Sequence, residues 1–341
     1  MSILTFTTIS FAQRAVSGEE FSPEARGPNG LRIMFYNVEN LFDTFDDPAT
    51  EDNEFTYEGD KHWSYYRYKE KLNNIAKTII SLGGWEPPDF IGLCEIENFQ
   101  VLMDLTSETP LRSYGYQIIH ENSEDPRGID NAILYRNEKL TKIMHRSIYI
   151  DTNESFSTRD ILYAAFSFAG LDTIHFYVNH WPSRLGGKEI TEKKRLMVAK
   201  NLKVNIDQLQ SENSSVKIFI MGDYNDEPKD KSLLEILNVK PTAENIREEE
   251  LYNLSYPDFR GEKGTLVYKE IEFTWFLFDQ MIVSGSLMKS VGLSVKGMKN
   301  HIFIADWLLN NGRPFRSYQG PIYLGGFSDH LPIFIDLYYR E

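Results

Sequence analysis

The sequence predicts a mixed fold of the α/β or α+β class, because short apolar runs alternate with stretches of helical periodicity from Leu31 onward. Hydrophobic residues make up 41% of the chain and charged residues 25%, which is the composition of a folded globular protein. Several β-rich runs also follow one another closely in the middle of the chain, as is typical of antiparallel sheet. We therefore expect sheet packed against helices.

The first third of the chain predicts a strand, a helix and a second strand. The run LRIMFYN is rich in β-forming residues and indicates a strand. In YKEKLNNIAKTIISLGG, apolar residues recur at helical spacing and Gly83-Gly84 ends the helix. The segment PDFIGLCEI, entered at Pro87-Pro88, indicates another strand.

The rest of the chain predicts mainly strands, with one long helix. The strands are expected at YQIIH, NAILYR, KIMHRSIYI, ILYAAFSF, TIHFYVNH, VKIFIMGD, FLFDQMIVS and HLPIFIDLYY. The long helix is expected at TEKKRLMVAKNLKVNIDQLQ, and a short one at residues 232–237. Neither a repeat of fixed period nor an internal linker is evident, so residues 31–341 are predicted to form one catalytic domain.

Residues 1–30 are predicted to be a leader and linker. The apolar start ends in Ser10-Phe11-Ala12, which resembles the cleavage site of an exported protein, although the first basic residue is Arg14. Residues 14–30 are polar and rich in Gly, Pro and Glu, as in a linker. A periplasmic or secreted location is therefore favoured over a cytoplasmic one. No stretch reaches the roughly 20 apolar residues that span a bilayer, so membrane insertion is not expected, and no obligate protein partner is evident.

The charge balance excludes a whole-surface attraction to nucleic acid. The chain has 36 Lys and Arg against 50 Asp and Glu, a net charge of -14. A phosphate-bearing substrate must then be bound locally, and a cluster of acids achieves this only by holding a divalent cation. The single cysteine, Cys94, lies in an apolar run and is predicted to be a buried small side chain.

Polar side chains stand at the ends of six predicted strands. They are Asn37 with Glu39, Glu95 with Glu97, Asn179 with His180, Asp223 with Asn225, Asp279, and Asp329 with His330. Because side chains alternate along a strand, Glu95 and Glu97 are expected on one side. Each motif alone is weak, since GDYND suits a turn and a histidine at a strand end is commonly structural. Six such ends in one domain indicate a shared polar pocket.

Hydrolysis of a phosphate ester would use such a set. A hard divalent cation takes oxygen ligands, which Glu95 and Asp329 could supply. A histidine held by a carboxylate is suited to act as the base for an attacking water. Asparagine amides, a second imidazole and an arginine would stabilise the charge that develops on the phosphoryl group.

Six motifs resemble, in the same order, those of the endonuclease/exonuclease/phosphatase superfamily: YNVEN, IGLCEIEN, VNHWPSR, MGDYND, FDQMIVS and GGFSDHLPI, over residues 31–336. These hydrolases include pancreatic-type deoxyribonuclease, abasic-site endonucleases, inositol polyphosphate phosphatases and bacterial sphingomyelinases. The resemblance implies a four-layer sandwich, with two face-to-face mixed β-sheets flanked by helices. It also implies a Mg²⁺ cofactor, with Mn²⁺ as a substitute.

On the metal side, the resemblance implies that Glu95 is the principal Mg²⁺ ligand. Asn37 would lie beside the metal and help to hold the phosphate, and Asp329 would lie against the same metal or a second one. Many family members have Gln where this chain has Cys94. Alternation along the strand turns this position away from the metal, and Glu97 remains a rival or auxiliary ligand.

On the catalytic side, the resemblance implies that His180 contacts a phosphate oxygen and stabilises the pentacovalent transition state. Asp223 would orient or activate the water, and Asn225 would donate to the phosphoryl oxygen. His330 would be the second imidazole, paired with Asp279.

Three functions remain open for the sequence. A nuclease cleaving phosphodiesters of DNA or RNA is favoured, and Arg159 resembles an arginine that touches the substrate phosphate in some nucleases. A basic strip near the long helix would support this function, unless it is merely a solvated helix start: Arg184, Lys188, Lys193, Lys194 and Arg195. A phosphatase or phosphodiesterase of small or lipid-linked phosphate esters is the second function, and an inactive binding module is the third.

Overall fold

The computed structural model describes residues 26–152, 156–241, 244–261, 263–268 and 274–341. Residues 1–25 of the predicted leader and linker lie outside the described residues, and the role of the leader in export stays a prediction. At the start of the described chain, the guanidinium of Arg26 donates to the carbonyl oxygens of Glu86 and Pro87.

The helices of the described residues are α1 (Tyr65–Gly83), α2 (Phe99–Ser107), α3 (Lys188–Glu212) and α4 (Tyr256–Arg260). Short 3-10 turns lie at Asn53–Phe55, Pro110–Tyr114, Gly285–Met288 and Asp306–Leu308, and a single π-helical turn lies at Ser232–Ile236. None of the helices in these residues is both long and apolar enough to cross a lipid bilayer.

The strands are named here in chain order. In the described residues they are β1 (Gly30–Leu41), β2 (Phe90–Ile96), β3 (Gln117–His120), β4 (Asp130–Tyr135), β5 (Leu140–Ile148), β6 (Ile161–Phe168), β7 (Asp172–His180), β8 (Lys217–Asp223), β9 (Leu251–Asn253), β10 (Leu266–Tyr268), β11 (Thr274–Phe276), β12 (Asp279–Ser284), β13 (Gly292–Val295), β14 (His301–Ile302), β15 (Leu309–Asn310), β16 (Arg313–Pro314), β17 (Tyr318–Gln319), β18 (Ile322–Tyr323) and β19 (Ile333–Arg340).

Two large mixed sheets form the centre of the molecule. The first sheet has the strand order β13-β19-β1-β2-β4-β3, with β14 also paired to β19. The second sheet has the order β5-β6-β7-β8-β12-β9. Each sheet contains one parallel pair, β1 with β2 and β7 with β8, among antiparallel neighbours. Three small two-stranded ladders lie outside the sheets.

The core between the two sheets is made by the inward side chains of both. Phe90 of the first sheet stacks on Phe176 of the second, with ring centroids 3.9 Å apart, and both rings are fully buried. Cys94 lies in the same apolar cluster and is buried, as predicted. Burial of each large apolar side chain contributes about 1.5–3 kcal/mol, so this layer is what holds the sheets face to face.

Helices cover the outer faces of both sheets. Leu72, Ile75 and Ile79 of α1 are buried against the outer face of the first sheet, in one cluster with residues of α2. On the second sheet, α3 buries Val198 and Leu202 in a cluster with outward-facing strand residues. The order is helices, sheet, sheet, helix, and the predicted four-layer sandwich is confirmed.

The helix α2 was absent from the sequence prediction. Its start does carry a signal, because the side chain of Asn98 caps it by accepting a hydrogen bond from the backbone N–H of Val101 at 3.0 Å. The helix is only nine residues long, which left little periodicity to detect. The predicted helix at residues 68–84 begins slightly earlier, at Tyr65, where Ser64 is the N-cap.

Candidate active site

Three neighbouring strands of the second sheet carry polar side chains at the same edge of the sheet, where β7 and β8 end and β12 begins. In the parallel pair of β7 and β8, His180 lies beside Asp223, and in the antiparallel pair of β8 and β12, Asp279 lies beside Asp223. Gly222 allows β7 and β8 to approach here, since a Cβ atom at this position would lie 2.3 Å from the carbonyl oxygen of Asn179. The pairing register therefore brings three of the predicted residues together.

The first sheet contributes Asn37 and Glu95 from the parallel pair of β1 and β2. The pairing is irregular between Cys94 and Ile96, and Glu95 has a left-handed backbone with φ 64°. This conformation is uncommon outside glycine and is found preferentially at functional sites. Here it lets the Glu95 carboxylate accept the backbone N–H of Asn40 at 2.8 Å.

The same irregularity corrects one expectation from the sequence. Simple alternation along β2 does not relate Glu95 to Glu97, because the bulge at Glu95 interrupts it. The Glu97 carboxylate instead accepts the backbone N–H of Asp43 at 2.5 Å. Burial raises the pKa of Glu97 to about 8, and the charges of Asp43, Asp52 and Asp47 add to this shift.

Asn37 joins the two sheets through its side-chain amide. Its Nδ2 atom donates to Glu95 Oε1 at 3.2 Å and to Asp223 Oδ2 at 3.1 Å, while its Oδ1 atom accepts the backbone N–H of Glu39. The residue is 1% exposed. Asn37 therefore fixes the distance between the predicted metal ligand and the carboxylate predicted to activate water.

The segment before β19 places His330 opposite the second sheet. The hydroxyl of Ser328 donates to the carbonyl oxygen of Asn37 at 2.7 Å and accepts the backbone N–H of His330 at 3.0 Å. The His330 Nδ1 atom lies 2.7 Å from Asp279 Oδ2. Burial alone would lower the pKa of His330, but the charge and hydrogen bond of Asp279, with the charges of Asp223 and Asp329, raise it well above its ordinary value. These acidic neighbours favour the protonated form of His330.

His180 has the opposite electrostatic setting. Burial lowers the pKa of His180 well below its ordinary value, and the positive charges of Arg159, Arg127 and His330 lower it further. Its Nε2 atom lies 3.7 Å from Asp223 Oδ2 and 3.8 Å from Glu95 Oε1. The surroundings thus favour the neutral form of His180 and the protonated form of His330.

Asp223 lies between the two imidazoles. Its Oδ2 atom is also 3.8 Å from His330 Nε2. Burial raises the pKa of Asp223 to about 7; the charges of Asp279 and Glu95 add to this, while the charge of His330 opposes it. A carboxylate with a pKa near neutrality can take a proton from water more readily than an ordinary one.

Asn225 occupies a left-handed turn just after β8, with φ 48°. Its backbone N–H donates to Asp223 Oδ1 at 2.9 Å, and its Nδ2 atom donates to the carbonyl oxygen of Trp181 at 3.0 Å. Arg184 holds the turn from outside, donating from Nε to the carbonyl oxygen of Asn225 at 2.7 Å. An amide has two N–H donors, so one of them is left for a substrate oxygen by this geometry.

Arg159 lies beneath His180, at the back of the site. Its guanidinium pairs with Asp125 at 2.8 Å and donates to the carbonyl oxygens of His180 and Trp181. The residue is 5% exposed. These contacts give Arg159 a structural task, and its predicted contact with substrate stays a prediction.

Asp329 is the most accessible carboxylate of the set, with a side chain that is 34% exposed. Its Oδ1 atom lies 4.0 Å from His330 Nε2, and its Oδ2 atom accepts a hydrogen bond from Arg316 Nη2 at 3.1 Å. Arg316 also pairs with the buried Glu39 at 3.3 Å. Arg316 was not among the predicted site residues, since PFRSYQG carries no motif that indicates a site.

The donor set fits a hard divalent cation. Carboxylate oxygens are the ligands that Mg²⁺ takes from proteins, and Glu95, beside His180, and Asp329, beside His330, are partly exposed carboxylates that could supply them. The raised pKa of Asp223 reflects burial beside other carboxylates, whose negative charge a cation would offset. Atoms of Asp223, Asp279 and His330 also lie within 4.8 Å of one another. Because His330 Nδ1 already contacts Asp279, these three residues are better suited to orienting the His330 ring than to binding a cation.

The sandwich and this edge of carboxylates, amides and imidazoles define a class of protein, the phosphoric ester hydrolases of the endonuclease/exonuclease/phosphatase superfamily. The profile described as the Endonuclease/Exonuclease/phosphatase family matches residues 32–339, and the chain belongs to this family. The resemblance noted in the sequence is confirmed.

Solved structures with the same fold cover nearly the whole chain. Truncated TDP2 from Caenorhabditis elegans is 15% identical, with a TM-score of 0.55, over 91% of this chain and 98% of that one. The human Nocturnin catalytic domain with bound sulfate anion is 16% identical, with a TM-score of 0.57, over 92% and 95%. A mannosyl-6-phosphatase from Bacteroides thetaiotaomicron is 16% identical, with a TM-score of 0.55, over 91% and 100%. Curated protein sequences give no match. At these identities the structural likeness shows the fold alone.

Proposed function

We propose that the chain hydrolyses phosphate esters with a divalent cation, Mg²⁺ or Mn²⁺, by attack of an activated water, and that residues 31–341 form the catalytic domain. The observation that carries this proposal is the pairing of His330 with Asp279 at 2.7 Å beside Asp223. Two imidazoles, one with a raised pKa and one with a lowered pKa, lie at one edge with a carboxylate of pKa about 7, and together they can supply both donors and a base.

The residues divide into a binding side and a proton-transfer side. Glu95 and Asp329, with Asn37 beside them, would hold the cation, which supplies charge neutralisation at the phosphoryl oxygens. Asp223 orients the attacking water and takes its proton. His180 and Asn225 donate to the phosphoryl oxygens, and the His330 imidazolium stabilises the negative charge that develops in the transition state.

A small phosphate ester is the substrate class that the geometry favours. Three cations of the predicted basic strip are already paired with carboxylates: Arg184 and Lys188 with Asp230, and Arg195 with Asp226. Paired cations attract a polyanionic strand weakly, because their charge is already neutralised. The fold shared with a mannosyl-6-phosphatase is compatible with this class.

Nuclease activity is the second candidate. Lys193 and Lys194 are exposed near the start of α3, which follows the loop after His180, and they could contact a nucleic-acid backbone. This function would show a rate that falls with rising salt, because each phosphate contact releases a counterion.

A substrate panel tests both candidates. Phosphate or product release is measured from p-nitrophenyl phosphate, bis-p-nitrophenyl phosphate, hexose phosphates, inositol phosphates, sphingomyelin, RNA and plasmid, with Mg²⁺, with Mn²⁺ and with EDTA. We expect metal-dependent release from small monoesters that exceeds cleavage of nucleic acid. The variant Asp223→Asn should be several orders of magnitude slower, since the amide cannot take the proton. Absence of metal-dependent release from every ester would overturn the proposed function.

A further inference from the structure

A small cleft opens beside the proposed active site. It has a cavity volume of about 70 Å³ and lies between the end of β1, the segment before α1 and the hairpin of β17 and β18. Its lining is polar at the mouth and aromatic behind: Glu39, Asn40, Phe55, Lys61, Trp63, Arg316, Ser317, Tyr318 and Gly320. We call it the side cleft.

The side cleft and the proposed site share two walls. Asn40 lines the cleft and donates its backbone N–H to the Glu95 carboxylate at 2.8 Å. Arg316 lines it from the other side and bonds to Asp329 at 3.1 Å. The side cleft therefore adjoins both of the carboxylates proposed to hold the cation, Glu95 and Asp329.

We propose that the side cleft binds the alcohol part of the substrate, and that this part is a neutral, hydroxyl-bearing ring such as a sugar. This inference rests on the proposed function and narrows it to sugar phosphates. Arg316 is the specificity-determining residue, with Lys61 as the second donor.

The charges in the side cleft favour a neutral ring over a second phosphate. Each cation faces a carboxylate, Lys61 with Glu54 at 3.5 Å and Arg316 with both Glu39 at 3.3 Å and Asp329 at 3.1 Å. A second anionic group would find little uncompensated positive charge. Hydroxyl groups, in contrast, donate and accept at once and suit mixed donors and acceptors.

The aromatic residues of the side cleft favour a sugar over a nucleobase. Phe55 and Tyr318 are each 6% exposed and Trp63 is 1% exposed, so they form the floor and offer no open ring face. A base binds by stacking on an exposed ring face, which accounts for much of the affinity of nucleic-acid sites.

Arg316 is held in place with donors to spare. A guanidinium has five N–H donors, and its Nε and Nη2 atoms are engaged by Glu39 and Asp329. Glu39 is itself fixed, because it accepts the backbone N–H of Ser317 at 2.6 Å. Lys61 is positioned by a bond to the carbonyl oxygen of Gly320 at 3.0 Å. Both heads are thus oriented before a ligand arrives, which reduces the entropy lost on binding.

The test compares binding with and without the ring. Glucose 6-phosphate, mannose 6-phosphate and inorganic phosphate are titrated calorimetrically, with Mg²⁺ present, into the full chain carrying Asp223→Asn, in which turnover is slow. We expect the hexose phosphates to bind more tightly than inorganic phosphate. Arg316→Gln and Lys61→Gln should each lower the ratio of the Kd of phosphate to the Kd of hexose phosphate about tenfold, in the range of a lost hydrogen bond to a charged group. The control variant Arg112→Gln, which changes an exposed arginine after α2, should leave this Kd ratio unchanged.

A kinetic comparison separates this inference from the proposed function. The ratio of kcat/KM for hexose 6-phosphates to that for p-nitrophenyl phosphate should fall about tenfold in Arg316→Gln. Equal binding of phosphate and hexose phosphates by the Asp223→Asn chain, or an unchanged kcat/KM ratio in Arg316→Gln, would overturn the side-cleft proposal even if the chain hydrolyses aryl phosphate. Absence of any hydrolysis would instead overturn the proposed function, while the titration with Mg²⁺ would still test binding in the side cleft.

Discussion

His330 Nδ1 lies 2.7 Å from Asp279 Oδ2, and this contact joins the two sheets of the sandwich. Asp279 begins β12 of the second sheet, and His330 lies three residues before β19 of the first. The raised pKa of His330, to which Asp279 contributes both charge and a hydrogen bond, exists only while the sheets are packed. The proposed site is thus assembled across the interface between sheets.

Asp279→Asn should slow hydrolysis by roughly 10²- to 10⁴-fold at pH 8, the range for loss of a proton-transfer group. Without the Asp279 charge, the pKa of His330 falls and the imidazolium is lost at high pH. The rate of the variant relative to that of the unsubstituted chain should therefore rise as the pH is lowered to 6. The check is the pH dependence of kcat/KM for p-nitrophenyl phosphate. The same loss at every pH would contradict the electrostatic role of Asp279.

Glu95→Gln should raise the Mg²⁺ concentration for half-maximal rate roughly tenfold or more, because the amide is a weaker ligand for a hard cation. Glu97→Gln is the matched control, since its carboxylate contacts the Asp43 backbone. Activity is measured over a Mg²⁺ series, and metal binding is measured separately by calorimetry. If Glu97→Gln shifts the titration and Glu95→Gln does not, the ligand role belongs to Glu97.

Arg159→Gln should lower the free energy of unfolding by about 3–5 kcal/mol, because it removes the buried partner of Asp125 and leaves only the half-exposed Arg127 beside that carboxylate. The matched control is Arg127→Gln, which removes a half-exposed cation 3.5 Å from the same carboxylate and should cost about 0–1 kcal/mol. Urea unfolding measures both. A folded Arg159→Gln of ordinary stability with a raised KM would instead support direct contact with substrate.

His175 should make stability depend on pH. Burial lowers the pKa of His175, which bonds to Tyr163 at 2.7 Å. The unfolded chain then binds more protons than the folded chain, so stability is complete above about pH 6.5 and is lost as the pH falls below it. The stability advantage of the unsubstituted chain over His175→Gln, from urea unfolding, should shrink between pH 8 and pH 5. Exposed His62→Asn is the control, and a constant difference for His175→Gln would refute the prediction.

Much of the fold could be predicted because its signals are local. Apolar runs marked the long strands, and Gly83-Gly84 lies at the end of α1. The polar residues at strand ends could be listed, since each follows an apolar run, and the structure brings His180, Asp223, Asp279 and His330 together. Their individual roles stay predictions.

The remaining features depend on contacts between distant segments. The left-handed backbone of Glu95 follows from a bulge opposite β1 and β4, which alternation along one strand does not show. The basic residues after His180 looked available, but Asp226 and Asp230, from the loop after β8, pair with them. Arg316 enters the site only because a long excursion before β19 folds back onto Glu39.

The position of β19 has a consequence for biosynthesis. This strand lies between β13 and β1, where Tyr338 pairs with Gly30. The strand β1 must therefore wait for β19 to leave the ribosome before this sheet can close. Until then a nascent polypeptide carries Glu95 and His180 without His330 beside Asp279, so the proposed site is still incomplete.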